Sequence, residues 1–141
     1  MSPTYDPDNT FAKILRGEIP STRDYEDEHV VAFMDVMPQG KGHTLVVPKA
    51  PSRNLLDADA ATLGPLLAAV QKIARAVKAA FEADGVTIIQ FNEPAAGQSV
   101  FHLHFHVIPR FDGVPLKPHT GDMEDAGVLQ VHADKIKAAL G

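Results

Sequence analysis

Residues 98–110 read Gln-Ser-Val-Phe-His-Leu-His-Phe-His-Val-Ile-Pro-Arg, and three of the chain's seven histidines stand there, at His102, His104 and His106. They alternate with Phe101, Leu103, Phe105 and Val107. A period of two is the period of a strand, with imidazoles on one face and apolar side chains on the other. At ~3.3 Å rise per residue, neighbouring imidazoles start about 6.6 Å apart. Such a row of weak bases suits a metal ion or an anion. Neutral imidazole can donate a hydrogen bond to a phosphoryl oxygen or attack phosphorus as a nucleophile. It can do so near neutral pH because its ordinary pKa is about 6.5. The stretch before the histidines adds Gly97, Gln98 and Ser99, with Asn92 earlier in the same loop. Glycine lets the backbone approach an anion, and amide, hydroxyl and backbone N–H groups can hold phosphate oxygens. A metal reading draws on His43 as a fourth nitrogen. It is disfavoured because the chain has no cysteine and no acidic residue lies among 101–107. His29, His119 and His132 are each isolated in polar surroundings and read as surface residues.

Positioning that row requires a sheet. His29–Asp35 (HVVAFMD) and His43–Val47 (HTLVV) are strand candidates, separated by a loop with Pro38, Gly40 and Gly42. Val86–Phe91 is a third, and the loop 92–99 joins it to the histidine strand. Tyr25–Glu28 is a polar strand or turn. The main helix lies within 57–83, on the stripe Leu66, Val70, Ile73, Val77 and Phe81. Pro65 belongs in a first turn, which places the helix start near Gly64. A short helix from Phe11, capped by Asn9 or Thr10 and ended by Gly17, and another over Ala133–Leu140 complete the reading. Residues 1–9 read as a flexible arm and 111–132 as an irregular tail region. The expected fold is α+β in a single domain over 1–141: an antiparallel sheet of about five strands, one long helix and short terminal helices. One helical layer leaves sheet surface for a second copy, so a homodimer is expected.

Composition narrows the function. The chain has 141 residues, of which 45% are hydrophobic, enough for a core. Its formal net charge of -5 argues against a broad nucleic-acid surface. It leaves room for one small anion held by local donors. No apolar run is long enough to span a membrane, and MSPTYDPDNT does not read as a secretory signal. With cysteine absent, a cytoplasmic location is expected.

The stretch His-Leu-His-Phe-His-Val-Ile at 102–108 resembles the signature of the histidine triad superfamily. Arg16–Pro20 (RGEIP), Ala32–Asp35 (AFMD), Gly42–Lys49 (GHTLVVPK) and Ala96–Val100 (AGQSV) look like further blocks of that family in its order. The nucleotide-binding purine nucleoside phosphoramidase branch is the most similar. The resemblance implies a hydrolase that cleaves purine nucleoside phosphoramidates to the monophosphate through a nucleotidyl–histidine intermediate. The alternatives are a dinucleoside polyphosphate hydrolase and a nucleotide-binding protein with negligible turnover. By the same resemblance His104 is the nucleophile, and His106 contacts phosphate or assists the leaving group. His102 and His43 support the other imidazoles. Ser99 and Gln98 hold phosphate oxygens or the leaving group, Asn92 adds a phosphate contact, Asp35 binds ribose, and Phe11, Ile14, Ile19 and Phe33 wall the base pocket. Many relatives carry a cysteine pair that helps hold zinc, and Asn9 and Ala12 stand at those positions here. Bound zinc is therefore not expected and no cofactor is required, although a divalent cation could assist a polyphosphate substrate.

Overall fold

The structure is a computed structural model that describes residues 4–119 and 122–141. Five strands form one antiparallel sheet: β1 (Arg23–Glu26), β2 (Val30–Met34), β3 (Thr44–Pro48), β4 (Gly85–Ile89) and β5 (Phe105–Arg110). Their order across the sheet is β1-β2-β3-β5-β4. The helices are α1 (Thr10–Leu15), α2 (Ala60–Ala80) and α3 (Ala126–Leu140). The expected α+β architecture is thus observed, with α2 as its one long helix.

β2 and β3 are buried along their whole length because both faces of the sheet are covered. On one face, Val30, Ala32, Met34 and Val46 pack with Leu66, Val70, Ile73 and Val77 of α2 and Ile136 of α3. On the other, Val31, Phe33, Leu45 and Val47 pack with Phe11 and Ile14 of α1. Two-sided burial explains why these strands read as continuous apolar runs rather than as alternating ones.

Three boundaries differ from the sequence reading. Helix α2 starts at Ala60, where the Asp59 side chain accepts from the Ala61 N–H, and Pro65 lies inside it. The carbonyl that Pro65 leaves without a donor belongs to Ala61, an exposed residue where water can replace the missing bond. Helix α3 begins at Ala126 inside the stretch read as irregular, because Asp125 caps it through Gly127 N–H and Val128 N–H. The third is at the histidines. β5 begins only at Phe105, so His102 and His104 precede the strand. Pro48 has no N–H to continue the ladder from β3, and the Leu103 N–H donates instead to Ser52 O at 2.9 Å. The alternation nevertheless persists through this bend. Leu103 and Val107 enter the core beneath α2, while His104 and His106 face the α1 side.

Among the described residues, no helix is long and apolar enough to cross a membrane.

Candidate active site

The site forms where the β2–β3 ladder ends beside β5. In register, Met34 stands opposite Thr44, Leu45 opposite His106, and the Asp35 N–H donates to His43 O at 3.0 Å. Asp35, His43 and His106 therefore share the face that carries Phe33 and Leu45. The segment leading into β5 brings His104 to the same face, where its ring meets Phe11 edge-on at 4.8 Å. A cavity of about 840 Å³ opens here, lined among others by Phe11, Phe33, Asp35, Ser99, His104 and His106.

Hydrogen bonding assigns each imidazole its tautomer, since a nitrogen that accepts cannot also carry the proton. The Gln39 N–H donates to His43 Nδ1 at 3.1 Å, so the proton of neutral His43 is on Nε2. That Nε2–H lies 2.9 Å from His106 Nδ1, which accepts it and leaves the His106 proton on Nε2. His104 differs. Its Nδ1–H donates to His102 O at 2.7 Å, which leaves Nε2 with a bare lone pair. His102 donates from Nε2 to Pro48 O at 2.8 Å and accepts the Tyr5 hydroxyl at Nδ1 at 2.6 Å. The cavity thus meets two unlike groups, a basic nitrogen on His104 and an N–H donor on His106.

Burial keeps these rings neutral. Desolvation, helped by neighbouring imidazoles, pushes His104 down to about 4 and both His43 and His106 down to about 3. His102 is lowered for the same reason, against the Pro48 carbonyl that favours its charged form. Burial raises Asp35, opposed by the Met37 N–H and by His119.

The other residues singled out in the sequence divide into two groups. Phe11, Ile14, Ile19 and Phe33 form an apolar wall of the cavity, and Ser99 lies exposed at its edge. Gln98 and Asn92 are not among its lining residues. Gln98 is buried and donates to Arg53 O and Val100 O while accepting from Asn54 Nδ2 and the Glu93 N–H. Asn92 accepts from the Leu55 N–H and pairs with the Gln90 amide. Both side chains hold the 92–98 loop together. Within that loop Glu93 adopts φ 76 and Gly97 φ 106, left-handed backbone that the Arg53–Glu93 pair and the Gln98 contacts stabilise.

Two residues at the site were missed by sequence reasoning. His119, read as a surface histidine, reaches back so that its Nε2 lies 2.7 Å from Asp35 Oδ2. Tyr5, placed in the arm, bonds His102. No local pattern marks either residue, because each contact joins segments far apart in the chain.

A family model described as HIT domain matches residues 16–113. A Hit-like protein involved in cell-cycle regulation from Bartonella henselae is 58% identical, superposes with a TM-score of 0.91, and is matched over 96% of this chain and 99% of its own. A hypothetical histidine triad nucleotide-binding protein from Sulfolobus tokodaii is 32% identical with a TM-score of 0.84, over 93% of this chain and 91% of its own. A zinc-bound histidine triad family protein from Mycobacterium smegmatis is 36% identical with a TM-score of 0.83, over 94% and 93%.

The last of these corrects the expectation that zinc is not bound and that the site holds no metal ligand. Asn9 and Ala12 offer no metal donor: Asn9 caps α1 and Ala12 is buried. Thiolates are not required, however. One ligand atom each from Asp35, His43 and His106 lie within 4.8 Å of one another, all three residues being buried. His43 Nε2 is 2.9 Å from His106 Nδ1 and 3.4 Å from Asp35 Oδ2, so a cation held by the two imidazoles and the carboxylate would replace the hydrogen bond between the imidazoles. The cysteine argument considered one place in the chain, and this donor set lies in another.

Proposed function

The chain belongs to the histidine triad (HIT) family, and from that premise we propose that it hydrolyses purine nucleoside phosphoramidates through a covalent nucleotidyl intermediate on His104. The observation that carries the reading is the tautomer pair: a lone pair on His104 Nε2 beside an N–H on His106 Nε2, both at one cavity. A row of equivalent imidazoles would offer no division of labour. Here the nucleophile and the donor are distinct groups.

In the first step the His104 Nε2 lone pair forms a bond to the α-phosphorus, and the P–N bond to the leaving group breaks with its electron pair on nitrogen. The bridging nitrogen enters protonated, so the departing group is a neutral amine, while neutral His106 donates from Nε2–H to a phosphoryl oxygen. In the second step water attacks phosphorus, the N–P pair returns to His104, and the water proton passes to the departing amine. The net change consumes one water and yields an amine and a nucleoside monophosphate. The His102 carbonyl orients His104 and stabilises the positive charge its ring gains. His43 fixes the orientation of His106. Ser99 and the Gly97 backbone serve the phosphate, Asp35 the ribose, and Phe11, Ile14, Ile19 and Phe33 the base. Asn92 and Gln98 act through the loop that carries Ser99 rather than by direct contact. A cation held by Asp35, His43 and His106 would supply positive charge next to the phosphate site.

We also assign a homodimer as the assembly, because β4 is an edge strand with Ile88 exposed. Light scattering at working concentration tests it.

The chemistry is tested by mixing the protein with adenosine phosphoramidate, quenching within the first turnover, and locating the adduct by mass spectrometry. Adenylate on the peptide containing His104, absent in His104→Ala, is the expected result. Full turnover by His104→Ala sinks the mechanism.

A further inference from the structure

His119 holds Asp35 in a way that the proposed reaction does not use. The Asp35 side chain is only 5% exposed. Its Oδ1 accepts the Met37 N–H at 2.9 Å. Its Oδ2 lies 2.7 Å from His119 Nε2 and 3.4 Å from His43 Nε2. Both oxygens are therefore engaged, and Asp35 and the His119 imidazole, itself 34% exposed, line the same cavity. The placement of His119 is built rather than incidental. Two residues before it, the Lys117 N–H donates to Gln39 O at 2.8 Å and Gln39 Nε2 donates back to Lys117 O at 3.3 Å. The same Gln39 N–H fixes the His43 tautomer.

We propose that His119 occupies the ribose position on Asp35 in the ligand-free protein, so that a nucleoside must displace it to bind. This rests on the reading of Asp35 as the ribose-binding acid. A ribose presents two hydroxyl donors, and a carboxylate is an acceptor only. Seating the diol breaks one N–H···O bond to a charged group and makes two O–H···O bonds in its place. His119 thus lowers the apparent affinity of every ligand that engages Asp35 through a sugar, because only the fraction of molecules with Asp35 uncovered can accept it. A ligand that binds through its phosphate alone does not encounter this competition. His119 is then a specificity-determining residue: its bond is to the ribose acid Asp35, while to His106 it makes only an edge-on ring contact at 5.8 Å.

The test compares the full-length protein with His119→Ala, using calorimetric titration with adenosine monophosphate and, separately, with phenyl phosphate. Removing a hydrogen bond to a charged group is expected to tighten the nucleotide about tenfold and to leave phenyl phosphate unchanged. In the background of Asp35→Asn, the same substitution is expected to produce no gain, since the group it uncovers is gone. Nucleotide binding that is unchanged or weaker in His119→Ala overturns the proposal. Equal tightening of both ligands also overturns it, because that reports a loosened pocket. If the wild-type protein binds neither ligand and turns over no phosphoramidate, the nucleotide-hydrolase reading fails and this inference with it. Failure of the His119 comparison alone leaves that reading standing.

Discussion

The His43 Nε2 lies 2.9 Å from the His106 Nδ1, joining the residue before β3 to the second residue of β5. Since the Gln39 N–H occupies the other nitrogen of His43, this one contact decides which His106 nitrogen presents a proton to the cavity. Removing His43 frees His106 to take either tautomer and to rotate. His43→Ala is expected to lower kcat by about 10- to 100-fold, the scale of losing an orienting partner, with KM little changed. Steady-state kinetics on adenosine phosphoramidate checks it, and a full-rate variant would show that His106 is oriented by other means.

On the proposed mechanism, the low proton affinity of His104 sets the acid limb of activity. Burial holds it down to about 4, against an ordinary 6.5. The nucleophile should remain unprotonated in the free enzyme well below pH 6. A pH profile of kcat/KM is expected to stay flat on the nucleophile's account down to about pH 5, where an unperturbed imidazole would already have lost most of its activity. An acid limb at the ordinary imidazole value would contradict the burial argument.

The same shifts predict acid sensitivity of the fold. His43, His104 and His106 have folded values below their unfolded one, so the unfolded chain binds more protons. The stability they contribute is complete above the unfolded value of about 6.5 and is lost as pH falls from there toward about 4 and 3. Denaturant midpoints measured across that range should fall, and they should fall less in His106→Asn.

Asp24 acts with the opposite sign. It lies in the irregular step of β1 and is buried, with Oδ1 unpartnered among the described residues and Oδ2 3.3 Å from Thr44 Oγ1. Burial raises its pKa to about 7. A raised carboxylate favours the folded state fully below its unfolded value, near 3.8, and that contribution is lost as pH rises through about 7. Asp24→Asn is therefore expected to be more stable than wild type at pH 8 by about 1–3 kcal/mol, the scale of a buried unpaired group, with the gain vanishing at low pH. Thermal melts at the two pH values settle it.

Gln98 is predicted to matter through structure. Its side chain satisfies two carbonyls, the Asn54 amide and the N–H of Glu93, whose backbone is left-handed. Gln98→Ala is expected to destabilise the protein by about 1–3 kcal/mol, since buried partners lose their bonds, and to lower kcat as Ser99 loses its support. Wild-type stability with a raised KM alone would instead indicate direct contact with substrate.

Zinc added to the metal-free protein is expected to bind with a stoichiometry of one and to be weakened by Asp35→Asn. Binding at His43 Nε2 displaces the proton now there and moves it toward Nδ1, against the Gln39 N–H. Uptake should therefore disturb the Gln39 loop, which amide exchange at that residue can report.

Much of the fold was legible because it rests on local periodicities. The stripe at Leu66, Val70, Ile73 and Val77 gave α2, and the runs HVVAFMD and HTLVV gave β2 and β3. Boundaries were less legible where distant chain intervened, as at Phe105, where Pro48 and Ser52 end the ladder. The identity of the chemical groups was also written locally: His104 and His106 reach one cavity because alternate residues face the same way. What the tertiary structure alone decided is how those groups differ. A proton's place on an imidazole depends on the acceptor across from it, and those acceptors and donors are His102 O, Pro48 O and the Gln39 N–H. The same holds for His119, which is 84 residues from Asp35 in sequence and 2.7 Å from it in space. Residue type and spacing state what chemistry is available, and only the packed chain determines which atom performs it.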